Sequence, residues 1–395
     1  MKPKLFQKNI MNRATFFGRL GVLAGMSFSA SSFLSASTNS LQKTTKSFIK
    51  LGINRGFEPI IFETPWKQKV IYDRYTYVDM KTGEWIKEGL DWNKIEEHQK
   101  ELNRKIDNNE IKFTKGPAKL VDGLWQLVLD GQQNVFLIET KTGLILVDPG
   151  MESNTKLIVE QIEMLDYKQS DVKYILLTHC HVDHAHSANY WQKLGAEIHI
   201  HQLGENPIRT GNEITAWYLI DGEEREFPKV EGEISVFHDG DALNFGELKI
   251  NVCHTPGHTP DSCCFSFKKG NKNILIGGDT IFHNGKHGWM GHPYSDFEQY
   301  LKSLWKLKRF AVGETVHSEK DRIMVREPIK FDLLLPGHTT ISLENVTRDI
   351  EKGIEIMSYT IQQRRKGVDY QWTEPYTFFA ERNAANEPEI EIEYK

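Results

Sequence analysis

From about residue 116 onward, short apolar runs recur along the chain, and one after another ends in a histidine or an aspartate. "GLILVDPG" ends its run at Asp148, "VKYILLTH" at His179, and "LKINVCHTPGH" leads to His258. "NILIGGD" ends at Asp279 and "FDLLLPGH" at His338. Stretches such as "ILL", "ILI" and "LLL" show no polar residue at every second place. They therefore predict strands buried on both faces. Between and after them the period lengthens to that of a helix. Helices are predicted at 183–194, closed by Gly195, at 297–308 and at 343–363. In the last of these Val346, Ile350, Ile354, Met357 and Ile361 share one face. Strands alternating with helices predict an α/β fold whose strand ends carry polar groups to one edge, where such folds build active sites.

Before 116 the texture differs. Lys2, Lys4, Lys8, Arg13 and Arg19 precede the small-residue, apolar stretch "LGVLAGMSFSASSFLSAS". It is too short and too rich in serine to span a membrane, and it suits a secretory signal. Ser35, Ala36 and Ser37 supply the small residues of a cleavage site. The organisation expected is a signal peptide at 1–37, a linker and N-terminal extension at 38–115, a catalytic domain at 116–345, and a C-terminal helix and tail at 346–395. Export, to a bacterial periplasm or beyond, follows from the first of these. Within the extension, "DWNKIEEHQKELNRKIDNN" predicts a helix capped by Asp91.

Composition narrows the classes. The 395 residues carry a net charge of −5, with 26% charged and 39% hydrophobic residues and no long basic block. Nucleic acid has no electrostatic footing here, and no stable membrane span is expected in the mature chain. The partner expected is a small-molecule substrate. Cys180, Cys253, Cys263 and Cys264 form no C-x-x-C pair and read as small buried residues.

The candidate chemistry centres on "HCHVDHAH", residues 179–186, which holds four histidines and one aspartate. Residues two apart in an extended chain face the same way, so His179 and His181 can grip one ion while Cys180 points aside. His184 breaks that parity and joins only if the chain turns there into a helix. The first pair then serves one metal, and Asp183 with His184 a neighbouring one. Imidazole and carboxylate without thiolate favour zinc, with iron or manganese as alternatives.

"THCHVDH", "HTPGHTPDS", "GGDTIF" and "LPGH", with "VDPG" upstream, resemble the metallo-β-lactamase fold superfamily in order and spacing over about 120–342. The resemblance implies a four-layer αββα sandwich and a site for two Zn²⁺ ions in a cleft at one edge of the two sheets. It implies that His179, His181 and His258 bind the first metal, that Asp183, His184 and His338 bind the second, and that Asp279 bridges them. Asp148 would orient the ligand loop. His254 takes a place that does not ligate in this motif. The chain departs from the family at Ala185-His186-Ser187, where two glycines are frequent, and at Asp261, where glycine is frequent. Neither change touches an implied ligand. His186 therefore reads as a helix-face residue or a substrate contact. Trp289, His292 and Tyr294, in the loop after Asp279, are candidate pocket walls, and Trp217 and Tyr218 are candidates to face them.

These ligands imply a metal-dependent hydrolase in which a metal-activated hydroxide cleaves an ester, lactone, thioester or lactam, with Asp183 accepting the proton. A β-lactamase is the rival on the same fold, although the third β-lactamase subclass, the nearest by ligand set, usually lacks the bridging aspartate. Glyoxalase-two-like thioesterases match "GGDTIF" and "LPGH" better. A mononuclear iron sulfur dioxygenase would need only a subset of these ligands, and a metal-binding protein without catalysis would leave the cleft unexplained.

Overall fold

The computed structural model describes residues 61–367 except 64–66, 72–75, 80–89, 92–103, 105–110, 115, 129–132, 213–226, 313–315, 318–322, 325–327 and 339. The signal-peptide and linker expectations lie outside these residues, as does most of the helix predicted after Asp91. Asp91 itself closes the short strand Leu90–Asp91.

Two sheets face each other. The first has seven strands in the spatial order Ile234–Phe237, Glu197–His201, Val172–Leu176, Gly143–Val147, Asn134–Thr140, Leu124–Val128 and Ala118–Val121. Its first four are parallel and its last four antiparallel, with Gly143–Val147 the shared member. The second begins with the antiparallel run Ala242–Phe245, Leu248–His254, Cys263–Lys269 and Lys272–Gly278. Leu333–Pro336 joins Lys272–Gly278 in parallel, and Ile341–Ser342 follows. Beyond it the N-terminal strand Lys69–Ile71 pairs with Ile341–Ser342, so the extension continues the sheet.

The apolar runs are buried on both faces, and their alternation sorts side chains into three packed layers. Leu144 and Leu146 point to one cluster while Ile145 and Val147 point to another, and Val135 and Leu137 divide in the same way from Phe136 and Ile138. The cluster between the sheets also takes Phe265, Ile274, Ile276, Leu333 and Leu335. Outside the first sheet, Leu146 and Ile175 meet Ile158 and Ile162 of helix Thr155–Met164 and Trp191 of helix Ala188–Lys193. Outside the second, Leu275 and Leu334 meet Tyr300, Leu304 and Leu307 of helix Phe297–Val312. The same layer takes Val346, Ile350, Ile354, Met357 and Ile361 of helix Val346–Arg365. Each such burial contributes about 1.5–3 kcal/mol, and each strand collects it on two sides. This is the αββα sandwich that the resemblance implied.

The helix predicted at 183–194 is broken in two, Val182–Ala185 and Ala188–Lys193. The cause is a cross-connection: the Ser187 N–H donates to the Gly150 carbonyl (2.8 Å) and the Gly150 N–H to the His184 carbonyl (3.0 Å). Backbone groups satisfied across the loop no longer serve the helix. The second piece ends as expected at Gly195, whose φ of 95° suits only a residue without a side chain. All four cysteines are buried and unbridged. Among the described residues no helix is long and apolar enough to cross a membrane.

Candidate metal centre

Each donor sits where a strand or helix begins or ends. His179 and His181 lie just beyond strand Val172–Leu176, after Leu177 and Thr178, and helix Val182–Ala185 carries Asp183 and His184. His258 lies in the turn after Leu248–His254, Asp279 directly after Lys272–Gly278, and His338 just beyond Leu333–Pro336. The sandwich thus brings together seven residues spread over 160 positions of the chain.

They form two adjoining groups. In the first, His181 Nδ1 lies 3.1 Å from His179 Nε2 and 2.9 Å from His258 Nε2. In the second, His184 Nε2 lies 3.3 Å from His338 Nε2, and Asp183 Oδ2 lies 3.3 Å from His338 Nε2. Asp279 joins the two: its Oδ2 is 3.4 Å from His258 Nε2 and 3.5 Å from His338 Nε2, and its Oδ1 is 3.4 Å from His184 Nε2. The rings of His179 and His184 are 4.1 Å apart, so the groups share a wall.

Several of these donor atoms lack a hydrogen to share. His258 Nδ1 faces the Trp289 carbonyl at 3.0 Å, which can only accept, so the ring hydrogen sits there and Nε2 presents a lone pair. His184 Nδ1 likewise donates to Asp148 Oδ2 at 3.0 Å. Asp279 Oδ1 is buried and has no hydrogen-bond partner. Lone pairs and carboxylate oxygens packed this closely fit cations. Two donors about 2.1 Å from one tetrahedral ion are themselves about 3.4 Å apart, close to most of the separations here.

Charge divides the groups. Burial first, and then neighbouring imidazoles, push His179, His181 and His258 well below the ordinary histidine value, so all three are neutral. Burial opposes charge on His184 too, but Asp183, Asp279 and Asp148 outweigh it and raise that ring to about 10. Burial raises Asp279 against the pull of His338 and His184. The negative field that would hold a proton on His184 is equally a field for a divalent cation.

Asp148, at a φ of 50°, ties the ligand turn to the strand ends. Its Oδ1 accepts the Thr178 N–H (2.8 Å), and its Oδ2 accepts the Thr178 hydroxyl (2.7 Å) and His184 Nδ1–H. Trp289, His292 and Tyr294 gather beside the first group. The His292 ring stacks on Tyr294 at 4.9 Å and 7° and stands 4.7 Å from His181, with Trp289 4.6 Å behind it. Trp217 and Tyr218 lie outside the described residues. His186 is not among the clustered donors; its Nδ1 accepts the Glu152 N–H at 3.2 Å and its ring meets Phe227. His254 stays apart, donating to the Pro260 carbonyl and stacked on His201.

The model of the metallo-beta-lactamase superfamily matches residues 128–324. A probable metallo-hydrolase of Methanocaldococcus jannaschii is 30% identical over 210 residues, 53% of this chain and 88% of that protein. The chain belongs to the metallo-beta-lactamase superfamily. Within it, a probable hydroxyacylglutathione hydrolase of Schizosaccharomyces pombe is 26% identical over 170 residues, 41% of this chain and 53% of that one. An acyl-coenzyme A thioesterase of Bos taurus is 28% identical over 183 residues, 43% and 58% respectively. The chain is a metal-dependent hydrolase of this superfamily.

Sequence reasoning passed over two residues that touch the clustered donors. Thr178 holds Asp148 twice and places its hydroxyl 3.0 Å from His179 Nδ1; a threonine immediately before the first ligand was the available signal. Gly337, in "LPGH", is where the backbone runs against the site: a Cβ there would stand 2.4 Å from Asp279 Oδ1.

Proposed function

We propose that the protein is a dinuclear zinc hydrolase that cleaves an acyl ester or thioester, with lactones and lactams as neighbouring substrates. The observation that carries this reading is Asp279, whose two buried oxygens reach histidines of both groups, one of those oxygens without a hydrogen-bond partner. Held by His179, His181 and His258 and by Asp183, His184 and His338, with Asp279 between them, two divalent cations would supply Lewis acidity that activates water near neutral pH and polarises the bond to be broken. The chain's own residues do the rest. Asp183, about a third exposed, stands at the open side of the site beside His338 and takes the water's proton on Oδ2. His292, Tyr294 and Trp289 gather their rings beside His181 of the first group. The named activities of the fission-yeast and bovine relatives support a thioester first. The complete Asp183, His184 and His338 group supports two metals over a mononuclear iron site.

The test is a panel of thioesters, esters, lactones, β-lactams and phosphodiesters offered to the zinc-loaded protein, with elemental analysis of the same sample. Close to two zinc ions per chain and turnover of an acyl thioester or ester are expected. One tightly bound iron with oxygen uptake on a thiol substrate would overturn the reading. We also propose that the chain is exported, on the basic start and apolar run before residue 38. Amino-terminal sequencing from the native host should find a start within 30–40, and an intact Met1 in a cytosolic fraction would refute it.

A further inference from the structure

The loop that follows Asp279 does more than wall the cleft. Within 286–296, the Gly288 N–H donates to the Asp279 carbonyl (2.8 Å) and the Trp289 carbonyl accepts from His258 Nδ1 (3.0 Å). The Ser295 hydroxyl donates to the His258 carbonyl (3.1 Å), and the Asp296 N–H to that of Gly257 (2.8 Å). Finally, the Tyr294 hydroxyl lies 2.8 Å from His181 Nε2. Two of the three histidines of the first group are therefore held from behind by this one loop. The third, His179, is held by its chain neighbour Thr178.

His181 is the demanding case. His179, His184, His258 and His338 turn Nε2 toward their groups, whereas His181 turns Nδ1. An imidazole ring has a broad, roughly two-fold torsion at χ2, so a half-turn exchanges one face for the other at small intrinsic cost. A hydrogen on Nε2 with a fixed acceptor selects both the tautomer and the orientation. Tyr294 supplies that acceptor. Its own ring is pinned by the parallel stack on His292, which also stands 5.8 Å from His258.

We propose that Tyr294 is the positioning residue for His181, and that through it the 286–296 loop sets the affinity of the first donor group for its metal. The inference rests on the dinuclear reading above and makes the two groups separable: a disturbance of the loop loosens one ion and leaves the other. Tyr294→Phe removes a single oxygen and keeps the ring stacked on His292. Metal-free protein is titrated with Zn²⁺ against a chromophoric chelator, and the Co²⁺-loaded form is read by its visible absorption. Expected is a fall of about 10–100-fold in the affinity of one site of the two, with an altered band for that site alone. Tyr190→Phe is the control; it removes the same atom from a hydroxyl that donates to Gln169 Oε1 (2.9 Å), outside both groups, so both affinities should stay.

Unchanged affinities in Tyr294→Phe would overturn the proposal, and so would equal losses at both sites in a folded variant. Nitrogen-15 spectra of the loaded wild-type protein give a second measurement that needs no variant. The His181 hydrogen must be found on Nε2, and finding it on Nδ1 refutes the role of Tyr294 outright. A wild-type chain that takes up only one ion would instead count against the dinuclear reading, leaving Tyr294 testable on the ion that remains.

Discussion

The two halves of the candidate metal centre are built from different kinds of chain. Behind His184 stands Asp148 at a strand end, clasped by Thr178 from the next strand, and the Gly150 loop exchanges backbone bonds with His184 and Ser187. Every part of that scaffold belongs to the edge of the first sheet. Behind His181 and His258 stands the 286–296 loop, which meets the two imidazole rings through one hydroxyl and one carbonyl. One half is fixed by the fold, whereas the other is fixed by a segment at the rim of the cleft. Charge follows the same division, with neutral imidazoles on the loop side and three carboxylates around His184 on the other. A site built this way can hold one ion firmly while the second answers to what happens at its mouth.

The largest effect should come from erasing the residue the halves share. Asp279→Ala removes the oxygens that reach His184, His258 and His338 together. Both metal affinities should fall, and turnover should drop by more than the ~10²-fold expected from loss of a general base alone. Asp183→Asn is the next step down. It removes the proton acceptor and one donor of the second group while His179, His181 and His258 keep theirs, so turnover should fall by about 10²-fold with the first ion retained. Elemental analysis beside kinetics separates the two outcomes, and a fully active Asp183→Asn would sink the assignment. Asp148→Asn mirrors the loop experiment on the other half. It should weaken the second ion by about 10–100-fold and spare the first.

How much of this comparison could be read in the chain itself depends on range. The strands were legible because burial on both faces leaves apolar runs without alternation, as in Gly143–Val147 and Leu333–Pro336. The helix Val346–Arg365 was legible because Ile350, Ile354 and Met357 repeat at its period. The clustering of these histidines and aspartates was legible because the motifs fix their spacing. What escaped was whatever depends on a distant backbone group. The break at His186 and Ser187 comes from the Gly150 carbonyl. The strand Lys69–Ile71 was illegible because its partner lies some 270 residues further on. Tyr294 could be named as a wall, but its bond to His181 required both sheets to be in place.

A further probe lies beneath the root of the loop. Asp349 is fully buried and accepts the Asn284 N–H (2.8 Å) and an amide hydrogen of Gln68 (2.9 Å). Burial, against the pull of Ser342, Asn284 and Gln68, raises its carboxyl to about 7. The folded chain therefore keeps a proton that the unfolded chain releases near pH 4. Stability from this group is full below the unfolded value and declines as pH rises to about 7, by a few kcal/mol at most. Thermal unfolding across pH 4–8 should show that decline in the wild type and a flatter profile in Asp349→Asn. Equal slopes in the two would remove Asp349 from the account.

The smallest effect is expected from His186, and it tests the division most sharply because the residue sits within the ligand turn. Its Nδ1 accepts the Glu152 N–H at 3.2 Å and its ring packs against Phe227, both on the outer side of the turn. The clustered donor atoms do not include it. His186→Ala therefore removes one half-exposed hydrogen bond, worth about 1 kcal/mol, and leaves Asp148, Thr178 and the Gly150 exchange intact. Both ions should stay, kcat should hold, and any change should fall on KM. If the variant instead loses the second ion, the scaffold behind His184 depends on the outer face of the turn as well as on the strand ends. The fold-held half would then be no firmer than the loop-held one.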